Sequence, residues 1–124
     1  MKRKALFFDI DGTLLSEVTG EVPSSAVNAL ERALACGHLT FINTGRTWCA
    51  LPAEFKRMEF SGYVCGCGTY IQFGDEILLK RSIPVRRGEE IVKVLRENWA
   101  DMILEGTDDC FLPERHSRFE SLEG

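Results

Sequence analysis

Phe7-Phe8-Asp9-Ile10-Asp11-Gly12-Thr13-Leu14-Leu15 holds the residues best suited to chemistry: an apolar run that breaks into two carboxylates two residues apart and then into a glycine. The run Lys4-Ala5-Leu6-Phe7-Phe8 reads as a short strand buried on both faces of a parallel sheet, which places Asp9 and Asp11 at its carboxyl end. Positions i and i+2 of extended chain point to the same side, so both side chains can meet one ligand in the crevice where open α/β sheets bind theirs. Gly12 allows a tight turn there, and Thr13 adds a hydroxyl. Two carboxylates so close repel each other unless a cation intervenes or one takes up a proton. Magnesium suits the pair, because it takes one or two protein carboxylates and shares its other positions with water and phosphate oxygens. Asp9 can then attack phosphorus, while Asp11 gives a proton to the leaving oxygen and later takes one from water.

A second turn of the same kind follows the strand His38-Leu39-Thr40-Phe41-Ile42-Asn43, which delivers Thr44-Gly45-Arg46 at its carboxyl end. A right-handed crossover sets that end beside Asp9. Thr44 can donate its hydroxyl to a phosphoryl oxygen, and Gly45 leaves room for backbone amides to face an anion at the start of the next helix. Arg46 suits either of two roles, a substrate contact or an exposed cap on that helix. The helix is expected over residues 47–58, with Trp48, Leu51 and Phe55 on one stripe and with Pro52 forcing a late start or a kink.

Asp9-Ile10-Asp11-Gly12-Thr13 resembles motif I of the haloacid dehalogenase (HAD) superfamily of phosphatases. Leu14-Leu15 and Asn43-Thr44-Gly45-Arg46 are similar to its Cof-type, sugar-phosphatase branch. The resemblance spans nearly the whole chain, strongest over residues 4–15 and 38–47. It implies that Asp9 is nucleophile and metal ligand, and that Asp11 is general acid/base and lends its main-chain carbonyl to a magnesium ion. It implies also that Thr44 orients the transferred phosphoryl group, and the positions of Gly12, Thr13, Gly45 and Arg46 in the two turns make them candidates for further phosphate contacts. Where relatives carry an Asn-Gly pair after the third strand, this chain has Gly66-Cys67-Gly68-Thr69.

Two plainer readings of the first motif compete with this one. A calcium loop of the EF-hand kind needs its glycine sixth and a glutamate twelfth, whereas the glycine here is fourth and a strand leads in. An ordinary strand exit with solvated aspartates leaves the second phosphate-type turn unexplained. Composition sets the outer limits. The chain has 124 residues, 44% hydrophobic and 27% charged, which suits one globular domain. No run approaches the ~18 apolar residues of a membrane span, and the amino terminus lacks a secretion pattern, so a cytoplasmic protein without membrane contact is expected. A net charge of −4 offers no general attraction for nucleic acid. Cys36, Cys49, Cys65, Cys67 and Cys110 lack paired metal-ligand spacing, and reduced, mostly buried thiols are expected. A thiol sensor built on Cys65 and Cys67 is a weaker alternative.

The remaining elements must position these turns. Pro23-Ser24-Ser25 starts a helix with a serine available as cap, Val27, Leu30 and Leu34 make its core stripe, and Gly37 stops it. Ser61 to Cys65 is the third strand, and two β-rich runs around Gly74-Asp75 form a hairpin. Residues 85–88 read as a connector, and Gly88 to Trp99 as an amphipathic helix with Ile91, Leu95 and Trp99 on one side. Asp101 to Leu104 and Asp109 to Leu112 read as strands, and Arg115, His116 and Arg118 as a solvated tail.

The expected fold is α/β: a Rossmann-like parallel sheet, incomplete, over residues 1–84, then the start of an α/β cap over residues 85–124. The resemblance implies a magnesium-dependent phosphomonoester hydrolase that acts on small phosphorylated metabolites such as sugar phosphates through an aspartyl-phosphate. A phosphomannomutase-like phosphotransferase and a non-catalytic phosphate- or partner-binding remnant are the alternatives. The superfamily's lysine and distal metal carboxylates lie on later core strands and have no counterpart after residue 85. The chain therefore reads as the first half of a larger enzyme, weakly active by itself, whose bare Asp9 strand invites self-association.

Overall fold

The computed structural model describes residues 2–112. A five-stranded sheet runs in the order β1 (Ala5–Phe8), β2 (Leu39–Asn43), β3 (Gly62–Cys65), β4 (Tyr70–Phe73), β5 (Glu76–Lys80). The first three strands are parallel and the last two add on as an antiparallel hairpin, so the sheet is mixed. Short apolar strands joined by helices produce the parallel part, and Gly74, at φ 55°, makes the hairpin turn that its position between two β-rich runs predicts.

Helix α1 (Ser24–Ala35) links β1 to β2. It starts on Pro23, whose carbonyl accepts the amides of Ala26 and Val27, and no serine hydroxyl caps it, contrary to expectation. Gly37 ends it at φ 79°, with its amide on the Leu34 carbonyl. The next helix, α2, covers only Ala53–Arg57. Pro52 stands at its amino end, and the expected first half is a set of turns around Trp48, because the proline ring lacks the N–H an upstream turn would need. Phe55 is nonetheless fully buried, and its carbonyl accepts the Tyr63 hydroxyl at 3.0 Å.

Ile10, Leu14, Leu30, Ile42, Leu51, Phe55, Tyr63, Cys65 and Tyr70 make one core on one side of the sheet. Each large side chain buried there contributes about 1.5–3 kcal/mol. The other side carries a row of rings: Phe7 stacks on Phe41 at 4.7 Å, and Phe41 on Phe73 at 6.0 Å. Gly62 lies between them in the pairing, and a β-carbon there would stand 2.4 Å from the Gln72 carbonyl and 2.9 Å from the Phe41 ring. Phe7 is 56% and Phe73 45% exposed. Among the described residues β1 is therefore an edge strand with one open face, not the doubly buried strand its composition predicts, because burial depends on which neighbours cover it.

Helix α3 (Val85–Glu97) begins on Pro84, so the expected connector is its first turn. Trp99 lies beyond its end at φ 56° and off the expected stripe. The short strands β6 (Leu104–Glu105) and β7 (Cys110–Phe111) pair with each other and stand apart from the main sheet. Arg115, His116 and Arg118 lie outside the described residues.

Candidate functional site

The register Phe8↔Ile42 aligns β1 and β2, so Asp9 leaves its strand level with Asn43, and Thr44 follows one step on. Both aspartates are exposed and Ile10 between them is fully buried, which is the alternation expected for carboxylates sharing one side. The Asp9 carboxylate accepts the Ile10 amide at 2.8 Å through Oδ1. After Asp11 the chain coils tightly: the Ile10 carbonyl accepts the amides of Thr13, Leu14 and Leu15, and the Gly12 amide donates to Leu15. Gly12 adopts φ 74°, open to glycine at little cost, and an added β-carbon would meet the Glu17 carboxylate at 3.0 Å. The coil thus turns the Gly12 and Thr13 amides inward.

Thr44 is buried at the end of β2, its amide on the Val64 carbonyl and its carbonyl accepting the Cys67 amide at 3.4 Å. Its hydroxyl accepts the Arg46 amide at 3.1 Å, and no described acceptor takes its own proton, which is left to donate. The Gly45 amide has no hydrogen-bond partner among the described residues. Gly45 does not open a helix, since α2 starts only at Ala53. The anion-facing helix start expected there is absent.

Arg46 caps no helix, since α2 starts only at Ala53. Its guanidinium grips Asp11 fork to fork, Nε on Oδ2 at 2.9 Å and Nη2 on Oδ1 at 2.8 Å, with Nη1 on the Ala50 carbonyl at 3.3 Å. The two side chains are 36% and 50% exposed. Hydrogen bonds from Arg46 hold the Asp11 carboxyl below its usual range, and the same bonds push Arg46 up. Asp11 is thus an anion at neutral pH, and must leave Arg46 before it can carry a proton. Spacing alone gave no signal for this pairing across 35 positions.

Beside this site lies a cavity of about 580 Å³, lined in part by Thr47, Trp48, Lys80, Arg81, Glu105 and Phe111. No local pattern announces it, because its walls come from four separated stretches. The thiols also differ from expectation: Cys65 alone is buried, Cys49 is partly exposed, and Cys36, Cys67 and Cys110 are exposed. Burial pushes the Cys65 thiol up to about 11, which keeps that member of a Cys65–Cys67 sensor protonated.

Residues 6–123 match the family model described as haloacid dehalogenase-like hydrolase. Among curated proteins the chain is similar to the pyridoxal phosphate phosphatase YbhA of Escherichia coli, 29% identical over 101 residues that make up 79% of this chain and 37% of YbhA. Among solved structures it is similar to BT4131, described as a HAD subclass IIB sugar phosphatase, at 36% identity and a TM-score of 0.73, covering 86% of this chain and 42% of that one. A protein from Geobacillus kaustophilus HTA426 superposes with a TM-score of 0.84 at 25% identity, over 97% of this chain and 47% of the other. The chain spans less than half the length of each of these relatives. Motif, sheet order and family match agree, and the chain belongs to the haloacid dehalogenase-like hydrolases, in their Cof-type branch.

Proposed function

We propose that this chain carries the nucleophilic half of a magnesium-dependent phosphomonoester hydrolase that acts on small phosphorylated metabolites. The observation that carries the reading is the arrangement at the carboxyl ends of β1 and β2: two exposed carboxylates level with a buried threonine hydroxyl, and one guanidinium between the two turns. The names of YbhA and BT4131 specify a vitamin phosphate and sugar phosphates, both phosphate monoesters of small molecules, and sugar phosphates are the class proposed here. Residues 1–84 serve as the first part of the core and residues 85–124 as the opening of a cap.

The donor set fits a hard cation. Asp9 has an oxygen with no described partner, and no described donor takes the main-chain carbonyl of Asp11. Asp9 and the Asp11 carbonyl would hold magnesium, which when bound supplies positive charge against the phosphoryl oxygens. Among the described residues no group of three acidic, histidine or cysteine side chains could complete such a site, in keeping with a partial machinery.

Asp9 attacks phosphorus, the bond to the leaving oxygen breaks, and an aspartyl-phosphate forms. Asp11, released from Arg46 when the guanidinium turns to the phosphoryl oxygens, takes up a proton from solvent and gives it to the leaving oxygen. It later takes one from the water that attacks phosphorus, which breaks the bond to Asp9 and frees phosphate. Thr44 donates its remaining hydroxyl proton to the phosphoryl group, and the free Gly45 amide adds a second donor. Thr13, with an exposed hydroxyl and an amide turned inward, contributes through the side chain alone.

The test is calorimetric binding of orthovanadate, a phosphoryl mimic, together with phosphate release from an aryl phosphate, with and without magnesium. Binding that needs both the metal and Asp9, with feeble turnover by the 124-residue chain, is expected. Binding that survives Asp9→Asn and metal removal would instead identify a non-catalytic phosphate-binding remnant. The exposed Phe7 edge favours, in either case, pairing with a second copy.

A further inference from the structure

Cys49 and Cys110 lie 61 positions apart, yet their sulfurs stand 3.2 Å from each other. Cys49 belongs to the turns that follow Arg46, and Cys110 to β7, where it pairs across the hairpin with Glu105. Glu105 reaches the same turns, since its carboxylate accepts the Thr47 hydroxyl at 3.2 Å. That hydroxyl oxygen lies 3.2 Å from the Cys49 sulfur. One proton per group orders the string: the Cys110 thiol donates to Cys49, the Cys49 thiol to Thr47, and the Thr47 hydroxyl to Glu105. A single cross-strand pair of the β6–β7 hairpin is thereby joined at both of its residues to the turn beside the candidate site.

We infer that Cys49 and Cys110 form a reversible disulfide that ties the β6–β7 hairpin to the turn after Arg46. A sulfur–sulfur bond of about 2.0 Å requires the two atoms to close by roughly 1.2 Å from their present separation, a distance side-chain rotation supplies. Both thiols are open to a small reagent. The oxidant is a low-molecular-weight disulfide such as glutathione disulfide. Cys49 loses its proton to solvent and its thiolate attacks one of the reagent's sulfurs, the reagent's sulfur–sulfur bond breaks, and one glutathione leaves as a thiol after taking up a proton. Cys110 then loses its proton, attacks the Cys49 sulfur of the mixed disulfide and expels the second glutathione. Two protein thiols are oxidised and one small disulfide is reduced to two thiols. The order follows from the hydrogen bond to Cys49, which pushes the Cys110 thiol up to about 11 and keeps it protonated until the second step. A cytosolic disulfide of this kind is a redox-sensing device more often than a structural one.

The bond fixes one wall of the 580 Å³ cavity, since Thr47, Glu105 and Phe111 all line it. The inference stands on geometry and is independent of the phosphatase reading. The full 124-residue chain is incubated with glutathione disulfide, alkylated with iodoacetamide, digested and analysed by mass spectrometry. A Cys49–Cys110 linked peptide, lighter by two hydrogens than its separate halves and reversed by dithiothreitol, is expected. It persists in Cys36→Ser and disappears in Cys49→Ser and in Cys110→Ser. Alkylation of both Cys49 and Cys110 after oxidation overturns the inference. So does glutathione that stays on Cys49, or a link that joins two copies of the chain instead.

Discussion

The pairing of Arg46 with Asp11 yields the most discriminating stability prediction. Two parallel N–H···O bonds at 2.8 and 2.9 Å give it favourable geometry, but side chains 36% and 50% exposed keep it in a high-dielectric setting. Unit charges at about 4 Å interact by only ~1 kcal/mol in water and ~4 kcal/mol near a protein surface, and ordering two side chains offsets part of that. Exposed pairs measure about 0.2–1 kcal/mol, and the fork-to-fork geometry puts this one at the upper end, a coupling of about 1 kcal/mol. A double-mutant cycle on Arg46→Gln and Asp11→Asn, read by urea unfolding without metal, measures it. The folded-state carboxyl of Asp11 is depressed, so its contribution is fully present above the unfolded value of ~3.9 and is lost as pH falls through the lower folded one. The coupling should be constant from neutral pH down to about 5 and fade only below about 4, and 1 M salt should shrink it. A coupling near zero at pH 7, one above ~3 kcal/mol, or one lost while the pH is still above 5 would refute this account of the pair. Arg46→Gln should weaken orthovanadate binding by more than it weakens the fold, about ten- to a hundredfold, because a charge-assisted bond to the ligand is worth ~1.5–3 kcal/mol.

Four other outcomes follow from single observations. The Thr40 hydroxyl is fully buried with no partner among the described residues, so Thr40→Val should raise stability by about 1 kcal/mol in urea, and a loss would show that the hydroxyl is satisfied in solution. Gly62→Ala sets a methyl 2.4 Å from a backbone carbonyl of β4 and should cost at least about 2 kcal/mol, whereas a wild-type midpoint would mean that the sheet yields there. Phe7→Lys places a charge on the open edge and should abolish concentration-dependent association in sedimentation, provided the wild-type chain shows it. Closing the Cys49–Cys110 loop should stabilise the oxidised chain by about 4 kcal/mol, and an unchanged midpoint would reveal compensating strain.

Local chemistry made much of the fold legible in advance. The three parallel strands, α1 and the hairpin follow from apolar runs and from punctuation at Gly37 and Gly74-Asp75. Pro52 announced the late start of α2, and α3 opened after Pro84, three residues earlier than expected, because a proline serves an amino-terminal cap as well as a boundary. The misses share a cause. Trp99 leaves its stripe and the thiols are mostly exposed, since each depends on which surface packs against the residue and not on its immediate neighbours.

The sequence by itself determined that Asp9 and Asp11 share one side at a strand end, that Thr44 comes from a second such end, and that Gly12 makes the turn, because period-two alternation and backbone sterics are local. Tertiary structure alone decided that Arg46 closes on Asp11, that Cys49 meets Cys110, and that Phe7 stays open to solvent. Those outcomes depend on strand order and on contacts between distant segments. A repeating local pattern specifies which face a residue occupies, but not which remote partner the folded chain brings to it.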